Sequence, residues 1–415
     1  MNFNPISQIK VSLAFDATHI SVGRLALRNQ IIYFAYDDNF LKHGIEISPF
    51  KCPLQPGVQT FDPFVFAGLP GVFYDSLPDG WGRLLLDRNM QSVGVLPKQL
   101  TQLDRLAHVG QNGMGALIYE PDYGEEDNPQ TISLDQLADG AKEILQGNVS
   151  DVLQELLELN GSSAGARPKA MIGLNQQKNS IIHGTYDLDD DFEHWLVKFP
   201  NAIDGNDAGA IEYVYALMAK KAGIEISDSH LFPSTNGAGY FASKRFDRNN
   251  NRRLHMHSVC GLLHSDFRTP VLDYKELIAL TLALTKDMRE AEKMFRLAVF
   301  NVLAHNRDDH AKNFSFIMSC SGDWRLSPAY DLTFSSGPAG EQSTTAMGNG
   351  RNPSIADLVR LGEDAKFSNA IIVAIIEQTK SALNEWRKLA VEYGVTKENI
   401  KTIESKLSNS PPTIF

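Results

Sequence analysis

An apolar helical stretch that leads directly into a dense cluster of polar residues is the feature that most constrains the fold. Residues 289–305 carry apolar side chains on nearly all faces, among them Met294, Phe295 and Val299. A helix that is apolar all round is buried in a core. We therefore expect it to deliver the cluster AHNRDDHAKNF (304–314) to one fixed place in the fold.

The spacing inside this cluster matches the catalytic loop of a protein kinase. Arg307 and Asp308 are followed by Asn313 five residues after the Asp, as in R-D-x-x-x-x-N, although Asn306 stands where kinases usually have His. In that loop the Asp accepts the proton of the substrate hydroxyl and the Asn holds Mg²⁺. The segments FSFIM and RLSPAY predict a hairpin that leads to Asp331 in AYDLT, where kinases carry a second metal-binding Asp. We predict Asp308 as the catalytic base.

A second interpretation of the cluster is a transition-metal site built from His305, His310, Asp308 and Asp309. These residues lack the i, i+4 arrangement of an H-E-x-x-H helix, which favours the kinase interpretation. We expect His310 to order the loop through hydrogen bonds, and Asp309 to cap a turn or act as a second carboxylate near the metal. His310 and Lys312 are also predicted to lie at the ATP site.

Three upstream segments follow in the order that the small lobe of a kinase requires. Small residues in GSSAGARPKA (161–170) predict a turn whose backbone N–H groups approach phosphate oxygens. Lys198, on the predicted strand HWLVKFP, would reach the α- and β-phosphates. Glu212 follows fourteen residues later, in the first turn of a helix predicted over 209–223, and would position that lysine. The segment from Phe241 to Lys244 would contact adenine, mainly through its backbone.

Each of these segments also has an ordinary structural interpretation. A Gly/Ser-rich turn is most often only a turn, and a lone strand lysine usually extends its charged end to solvent. A glutamate at the start of a helix is stabilised by the helix dipole alone. Because the three segments occur in the order found in the small lobe of a kinase, together they favour the kinase interpretation.

Composition narrows the class of protein. The chain has 415 residues, of which 43% are hydrophobic and 21% charged, so we expect folded domains rather than disorder. A net charge of -11 argues against direct binding of nucleic acid. Three widely separated cysteines, with no CxxC pair, predict a reducing, cytoplasmic compartment. No apolar stretch approaches the roughly 18 residues of a membrane span, and the first residues do not resemble a secretion signal.

The chain is predicted to divide into three parts. These are a β-rich subdomain (1–120), an ATP-binding part of the N-terminal lobe (121–250) and an α-helical C-terminal lobe (251–415). The Pro/Asp/Glu-rich stretch 121–130 suggests a hinge. PDGWG (78–82) predicts a tight turn into a helix, which we interpret as a structural corner.

With these residues in order, the sequence resembles the HipA family, kinase-fold toxins of bacterial type II toxin–antitoxin modules. The resemblance covers nearly the whole chain, through VGRLAL, DSLPDGWGRLLLDR, SSAGARPKA, HWLVKFP, KRFDR, NRDDHAKNFSF and LSPAYDLT. It implies an α+β, bilobal protein-kinase-like fold with a β-rich N-terminal lobe. It also implies Asp308 as catalytic base, Asn313 and Asp331 as metal ligands, and Lys198 as the ATP-phosphate lysine. The glycine-rich loop falls on Ser162, Ser163, Ala164, Gly165, Ala166, Arg167, Pro168 and Lys169.

The resemblance implies ATP- and Mg²⁺-dependent phosphorylation of Ser/Thr in a protein, by family analogy an aminoacyl-tRNA synthetase such as the glutamyl enzyme, with arrest of translation and growth. It implies inhibitory autophosphorylation of Ser162, with Ser163 as the alternative. A phosphoserine brings roughly -1.5 to -2 charge into a pocket for ATP phosphates. Some relatives have Gln-Glu in place of Arg167-Pro168, so this loop is expected to be stiffer.

The expected partner is a small helix-turn-helix antitoxin of the HipB kind, through which any contact with DNA would be made. Two other functions fit the same motifs. One is a small-molecule kinase, and the other is an inactive, antitoxin-bound corepressor. The complete set of Lys198, Asp308, Asn313 and Asp331 argues against the inactive form.

Overall fold

The computed structural model describes residues 3–124, 132–148, 152–160, 165–185, 187–201, 204–266, 268 and 272–407. The chain forms two compact units. Unit 1 comprises 1–203, 242–264 and 317–323, and unit 2 comprises 204–241, 265–316 and 324–415. The predicted segment 121–250 contributes to both units, and the three-part division at 120 and 250 stays a prediction.

The elements of the described residues, in chain order, confirm the α+β class. The strands are β1 (Gln8–Ala14), β2 (His19–Arg28), β3 (Ile31–Tyr36), β4 (Val58–Thr60), β5 (Leu117–Glu120), β6 (Lys169–Asn175), β7 (Ile181–His183), β8 (Phe192–Lys198), β9 (Ser229–Ser234), β10 (Gly237–Lys244), β11 (Arg248–Asn249), β12 (Arg252–Arg253), β13 (His255–Ser258), β14 (Leu272–Asp273), β15 (Ser315–Met318), β16 (Trp324–Leu326) and β17 (Thr344–Thr345). The helices are α1 (Asp38–His43), α2 (Gly71–Tyr74), α3 (Gly80–Ser92), α4 (Gln102–Val109), α5 (Leu134–Leu145), α6 (Leu153–Asn160), α7 (Ala208–Lys221), α8 (Val259–Leu263), α9 (Tyr274–Thr285), α10 (Met288–Leu303), α11 (Ile355–Asp364), α12 (Asn369–Leu383), α13 (Trp386–Glu392) and α14 (Lys397–Leu407).

Unit 1 begins with a five-stranded antiparallel sheet of order β4-β3-β2-β1-β5. Asn29 and Gln30 both have positive φ in the two-residue turn between β2 and β3, the conformation that matches the twist of a tight hairpin. Leu13, Leu25 and Phe34 are fully buried and contribute to the core of this sheet.

A second part of unit 1 has β6 paired antiparallel with both β7 and β8. The predicted strand HWLVKFP corresponds to β8, on which Trp195 and Val197 are buried and Lys198 is partly exposed. This pairing fixes where Lys169 and Lys198 lie relative to each other.

Unit 2 is built around α10, whose side chains are buried from Ala291 to Leu303 on most of its surface. The helices α9, α11 and α12 pack against it. Asp287 caps its first turn by accepting a hydrogen bond from the Arg289 N–H. The prediction of a buried helix that carries the polar cluster at its end is confirmed.

The structure also shows the state of the three cysteines and the character of the described helices. Cys52, Cys260 and Cys320 are all free thiols, and burial raises the pKa of Cys52 to about 12. Within the part of the chain that the structure describes, no helix has the length and apolar character needed to span a membrane.

Candidate active site

The catalytic-loop cluster begins at a sharp stop of α10. His305 adopts a left-handed conformation (φ 55°), the Asn306 N–H donates to the Asn301 carbonyl at 2.9 Å, and the His305 N–H donates to the Val302 carbonyl at 3.4 Å. These two bonds form a Schellman motif, which satisfies the last helix carbonyls and turns the chain away from the helix axis. The loop therefore leaves the core from a fixed point.

The two residues with the clearest predicted roles lie together in this loop. The Asn313 side-chain NH₂ donates to the Asp308 carbonyl at 2.7 Å, and a single 3-10 turn, Ala311–Asn313, closes the loop. The Asp308 side chain is 59% exposed, and its Oδ1 lies 3.9 Å from His310 Nε2. Asn313 thus binds the loop backbone at Asp308 and leaves the Asp308 carboxylate accessible, as a general base must be if it is to reach a substrate proton.

The neighbouring carboxylate, that of Asp309, is buried rather than exposed to solvent. It is fully buried, and its oxygens accept hydrogen bonds from Tyr274, Gln342, Ser343 and Thr344. Burial raises the pKa of Asp309 to about 6, although these hydrogen bonds act to lower it. These donors assign Asp309 an anchoring role, so the prediction of a second carboxylate near the metal is wrong.

Asp331 is connected to the catalytic loop through its neighbour. The Tyr330 hydroxyl donates to the Lys312 carbonyl at 2.6 Å and lies 2.5 Å from Ser315 Oγ. Asp331 itself has φ 57°, a left-handed conformation that is uncommon outside glycine but that aspartate adopts more readily than most residues. The predicted metal ligands Asn313 and Asp331 are thus carried by two segments that hydrogen-bond to each other.

The alternative transition-metal site is not formed. Within the described ranges, no group of three or more His, Cys, Asp and Glu side chains could hold a metal ion. His305 Nδ1 lies 3.2 Å from the Ser335 carbonyl, and its ring stacks on Phe334 with centroids 5.3 Å apart. His305 is therefore a supporting residue of the loop.

Glu212 lies deeper in its helix than predicted. Because α7 begins at Ala208, Glu212 is the fifth helical residue rather than part of the first turn, and it is 2% exposed. The same helix is fastened to the end of α10, since the Tyr215 hydroxyl donates to the Ala304 carbonyl at 2.7 Å. A buried glutamate past the first turn is not explained by the helix dipole.

The described end of the glycine-rich segment is held by the turn PDGWG in unit 1. The Gly165 N–H donates to Asp79 Oδ1 at 2.6 Å, and the Trp81 N–H donates to the Gly165 carbonyl at 3.1 Å. A Cβ on Gly80 would lie 2.6 Å from that carbonyl, so only glycine fits there. PDGWG is thus a structural turn, as predicted, and it also hydrogen-bonds to the segment predicted to cover phosphates.

Two lysines lie opposite each other beside this segment. Lys169 on β6 pairs directly with Lys198 on β8, so both side chains lie on the same face of the sheet. Lys169 is 4% exposed, and its Nζ would lie 2.5 Å from a Cβ placed on Gly165. Ala166 is exposed and Arg167 partly exposed. The predicted residues Ser162, Ser163 and Ala164 lie outside the described residues.

The KRFDR motif forms a buried charge cluster. Asp247 accepts hydrogen bonds from Arg245 and Arg248 at 2.6–3.0 Å and from the Gly115 N–H at 2.7 Å. The guanidinium of Arg248 also donates to the Gly113 and Gly115 carbonyls. This cluster joins the loop at 113–115 to the strand end at 245–248.

The residues before this cluster have separate environments. The Lys244 side chain binds Glu193 at 2.7 Å, and Phe241 is 5% exposed in unit 2. The prediction of backbone contacts with adenine at 241–244 remains a prediction. Sequence reasoning missed the buried Asp247, although an Asp flanked by two arginines is a signal for such a cluster.

A second hydrogen-bond chain in unit 1 resembles a hydrolase triad in its connectivity. Ser48 Oγ lies 2.9 Å from His257 Nε2, and His257 Nδ1 lies 2.6 Å from Asp75 Oδ2. Ser48 and His257 are fully buried, and Asp75 also accepts from the Ser258 N–H and hydroxyl. A substrate cannot reach the buried Ser48 hydroxyl. These three hydrogen-bonded residues therefore have a structural role, which is to hold the start of α8.

Comparisons with known proteins identify the family of the chain. A family model described as the HipA-like C-terminal domain matches residues 161–386, and one described as the HipA N-terminal domain matches residues 15–120. Among proteins of known sequence, the one named Putative kinase Y4dM of Sinorhizobium fredii is 24% identical over 366 residues, which is 83% of this chain and 82% of that protein. The serine/threonine-protein kinase toxin HipA of Shewanella oneidensis is 31% identical over 103 residues, 25% of this chain and 22% of that protein.

A solved structure shows the same fold. HipA in the complex of Shewanella oneidensis HipA, HipB and operator DNA superposes with a TM-score of 0.68 at 16% identity, covering 96% of this chain and 95% of that one. The fold is therefore the protein-kinase-like fold of HipA, as predicted. With the family models covering more than half of its length, the chain belongs to the HipA family of kinases.

Proposed function

We propose that this HipA-family kinase transfers the γ-phosphoryl group of ATP to a serine or threonine hydroxyl of a protein. The observation that carries the proposal is the geometry of the catalytic loop, in which the Asp308 carboxylate is accessible and Asn313 donates to the Asp308 backbone carbonyl. Asp308 would accept the proton of the attacking hydroxyl, because a general base must lie on an open surface within reach of that proton.

Asn313 and Asp331 suit Mg²⁺, which prefers oxygen ligands and is usually bound by one or two protein side chains together with substrate phosphates. Because the Asn313 NH₂ donates to the Asp308 carbonyl, its Oδ1 is the atom that can bind a cation. The ion, when bound, neutralises negative charge that develops on the phosphoryl oxygens. The side-chain oxygens of Asn313 and Asp331 would hold it against the catalytic loop.

The ATP phosphates would be bound by Lys169 and Lys198, whose cationic side chains share one face of the sheet, and by backbone N–H groups of the glycine-rich segment. Glu212 would position Lys198, and Phe241–Lys244 would contact adenine. Ala166, Arg167, His310 and Lys312 complete the proposed set.

For the biological role, we propose a toxin that phosphorylates an aminoacyl-tRNA synthetase in the cytoplasm and thereby stops translation. The relative whose fold matches was solved with HipB and operator DNA. A small helix-turn-helix antitoxin is accordingly proposed as the partner here, with DNA contacted through it.

Labelling of a cell lysate with γ-labelled ATP and the purified chain tests the substrate class. We expect label on a discrete lysate protein, and Asp308→Ala should label none. Label confined to the low-mass fraction would support the alternative of a small-molecule kinase. No label in any fraction would favour the inactive corepressor.

Ser162→Ala is expected to remove autophosphorylation. The reason is that a phosphate on Ser162 would occupy the place of ATP phosphates, so this serine is the proposed inhibitory site. Mass spectrometry of the chain after incubation with ATP measures the modification, and Ser163→Ala is the matched control that should still be modified. Phosphate on Ser163 alone would contradict the assignment to Ser162.

Asp79→Asn is expected to weaken ATP binding. The Asp79 carboxylate receives the Gly165 N–H at 2.6 Å, and a hydrogen bond to a charged group contributes about 1.5–3 kcal/mol. We expect a rise of roughly 10-fold in the KM for ATP and faster amide exchange at Gly165. Asp62→Asn, in an exposed turn of unit 1, is the control. An unchanged KM with unchanged exchange would show that this bond does not hold the segment.

A further inference from the structure

The fully buried Asp309 carboxylate has an unusual set of partners. Its oxygens accept the Tyr274 hydroxyl at 2.5 Å, Gln342 Nε2 at 3.0 Å, and the N–H groups of Ser343 and Thr344 at 2.9 and 3.2 Å. The Asp309 carbonyl also accepts the Thr344 hydroxyl at 2.5 Å. These donors are all neutral, and three of the residues belong to one segment, 342–344.

The donors are themselves part of a buried polar network. Asn301 Nδ2 donates to the Tyr274 hydroxyl oxygen at 3.0 Å, and Asn306 Nδ2 donates to Asn301 Oδ1 at 3.0 Å. Tyr274, Asn301 and Asn306 are at most 2% exposed. The network therefore links α9, the end of α10 and the catalytic loop, and Asp309 extends it to 342–344.

The stretch from 332 to 351, here called the post-Asp331 segment, is fastened to the catalytic loop at further points. The Ser335 N–H donates to the His305 carbonyl at 3.1 Å, and the Ser343 N–H and hydroxyl donate to the Arg307 carbonyl at 3.2 and 3.0 Å. The Arg307 guanidinium donates to the carbonyls of Gly340 and Arg351. The residues on both sides of Asp308 are thus hydrogen-bonded to the post-Asp331 segment.

A second carboxylate holds the far end of the same segment. Asp273 Oδ2 accepts the Thr345 hydroxyl and the Gly348 N–H, each at 2.7 Å, beside the parallel pairing of β14 with β17. In kinases that are switched by phosphorylation, the corresponding segment is ordered when a phosphate adds negative charge and acceptor oxygens. Here two carboxylates of the chain already supply acceptors at fixed positions.

From these contacts we propose that Asp309 is a positioning residue, which ties the post-Asp331 segment to the catalytic loop, fixes Asp308, and makes phosphorylation of that segment unnecessary for activity. This inference rests on the proposed kinase function. The role of Asp309 differs from that of Asp308, since it touches no substrate and acts through the loop.

The test compares Asp309→Asn and Tyr274→Phe with the wild-type chain, from initial rates measured before inhibitory modification accumulates. Asn keeps the shape of Asp but turns one acceptor into a donor that faces other donors. Phe keeps the buried ring and removes one donor. We expect kcat to fall about 10- to 100-fold with the KM for ATP unchanged, since a small misplacement of a reacting group has this effect, and amide exchange at 342–344 to become faster.

Tyr36→Phe is the matched control, because its hydroxyl also makes a buried hydrogen bond, at 2.7 Å to the Cys52 carbonyl in unit 1. It should leave kcat and the exchange at 342–344 unchanged. Wild-type kcat in Tyr274→Phe and Asp309→Asn, with or without faster exchange, would overturn the inference. Loss of activity on phosphatase treatment of the wild-type chain, regained with phosphate on 332–351, would also overturn it. If the wild-type chain has no kinase activity, the proposed function fails. Slow amide exchange at 342–344 that is lost in Asp309→Asn would then still show that the anchoring contact exists.

Discussion

Asp308→Ala is expected to lower the rate of phosphotransfer by about 10²- to 10⁴-fold, the contribution that a positioned general base makes. The side chain is 59% exposed, so its removal should change the free energy of unfolding by no more than about 0.5 kcal/mol. Loss of activity without loss of stability distinguishes a chemical role from a structural one. Initial rates with γ-labelled ATP and a denaturant titration measure the two quantities.

Asp228→Ala is the matched control for this experiment. Asp228 is similarly exposed at 67% and lies 3.9 Å from Lys220, a weak surface pair. Its removal should change neither rate nor stability. A wild-type rate in Asp308→Ala would remove Asp308 from the mechanism, whereas an equal loss in Asp228→Ala would point to a general effect of lost charge.

Asp247→Ala is expected to destabilise the chain by about 3–5 kcal/mol, the cost of breaking a buried ion pair by removing one partner. Arg245 and Arg248 are both buried and would lose their carboxylate. The three side chains lie in unit 1 and join the 113–115 loop to 245–248. Urea denaturation monitored by tryptophan fluorescence measures the change.

Glu193→Gln is the control for this second prediction, since the pair of Glu193 and Lys244 has the same 2.7 Å separation but both side chains are 35% exposed. Exposed pairs contribute at most about 1 kcal/mol. A loss in Asp247→Ala no greater than that in Glu193→Gln would contradict the account of the buried cluster.

The pH dependence of this cluster has a definite sign. Burial alone would raise the pKa of Asp247, but Arg245, Arg248 and their hydrogen bonds outweigh it and hold the pKa well below its usual range. The stabilisation is therefore complete above the unfolded-state pKa of about 3.9 and is lost only as the pH falls from there through the folded-state pKa. The stability difference between wild type and Asp247→Asn should persist down to about pH 4.

The sequence predicted the elements that carry the site because their signals are local. The apolar periodicity of α10, the spacing of Asp308 and Asn313, and the alternation of β8 depend on neighbouring residues, and the structure bears out each element. The start of α7 was misplaced by one residue, which put Glu212 in the wrong turn. Family resemblance added the fold as a whole.

Other features could not be predicted because they depend on residues distant in the chain. Asp309 meets 342–344 across more than thirty residues, and Asp79 meets Gly165 across 86. No spacing rule connects such pairs. Adjacent aspartates look equivalent in a sequence, whereas in the structure Asp309 is buried and anchored and Asp308, the proposed base, is exposed.

Phosphoamino-acid analysis of the purified chain, after incubation with Mg²⁺ and γ-labelled ATP, tests whether the chain is a serine/threonine protein kinase. We expect labelled phosphoserine in the wild type, and none when a chelator is added or Asp308 is replaced by Ala. Label that appears only as free phosphate or on a small molecule, or equal phosphoserine in Asp308→Ala, would contradict the assignment of a serine/threonine protein kinase.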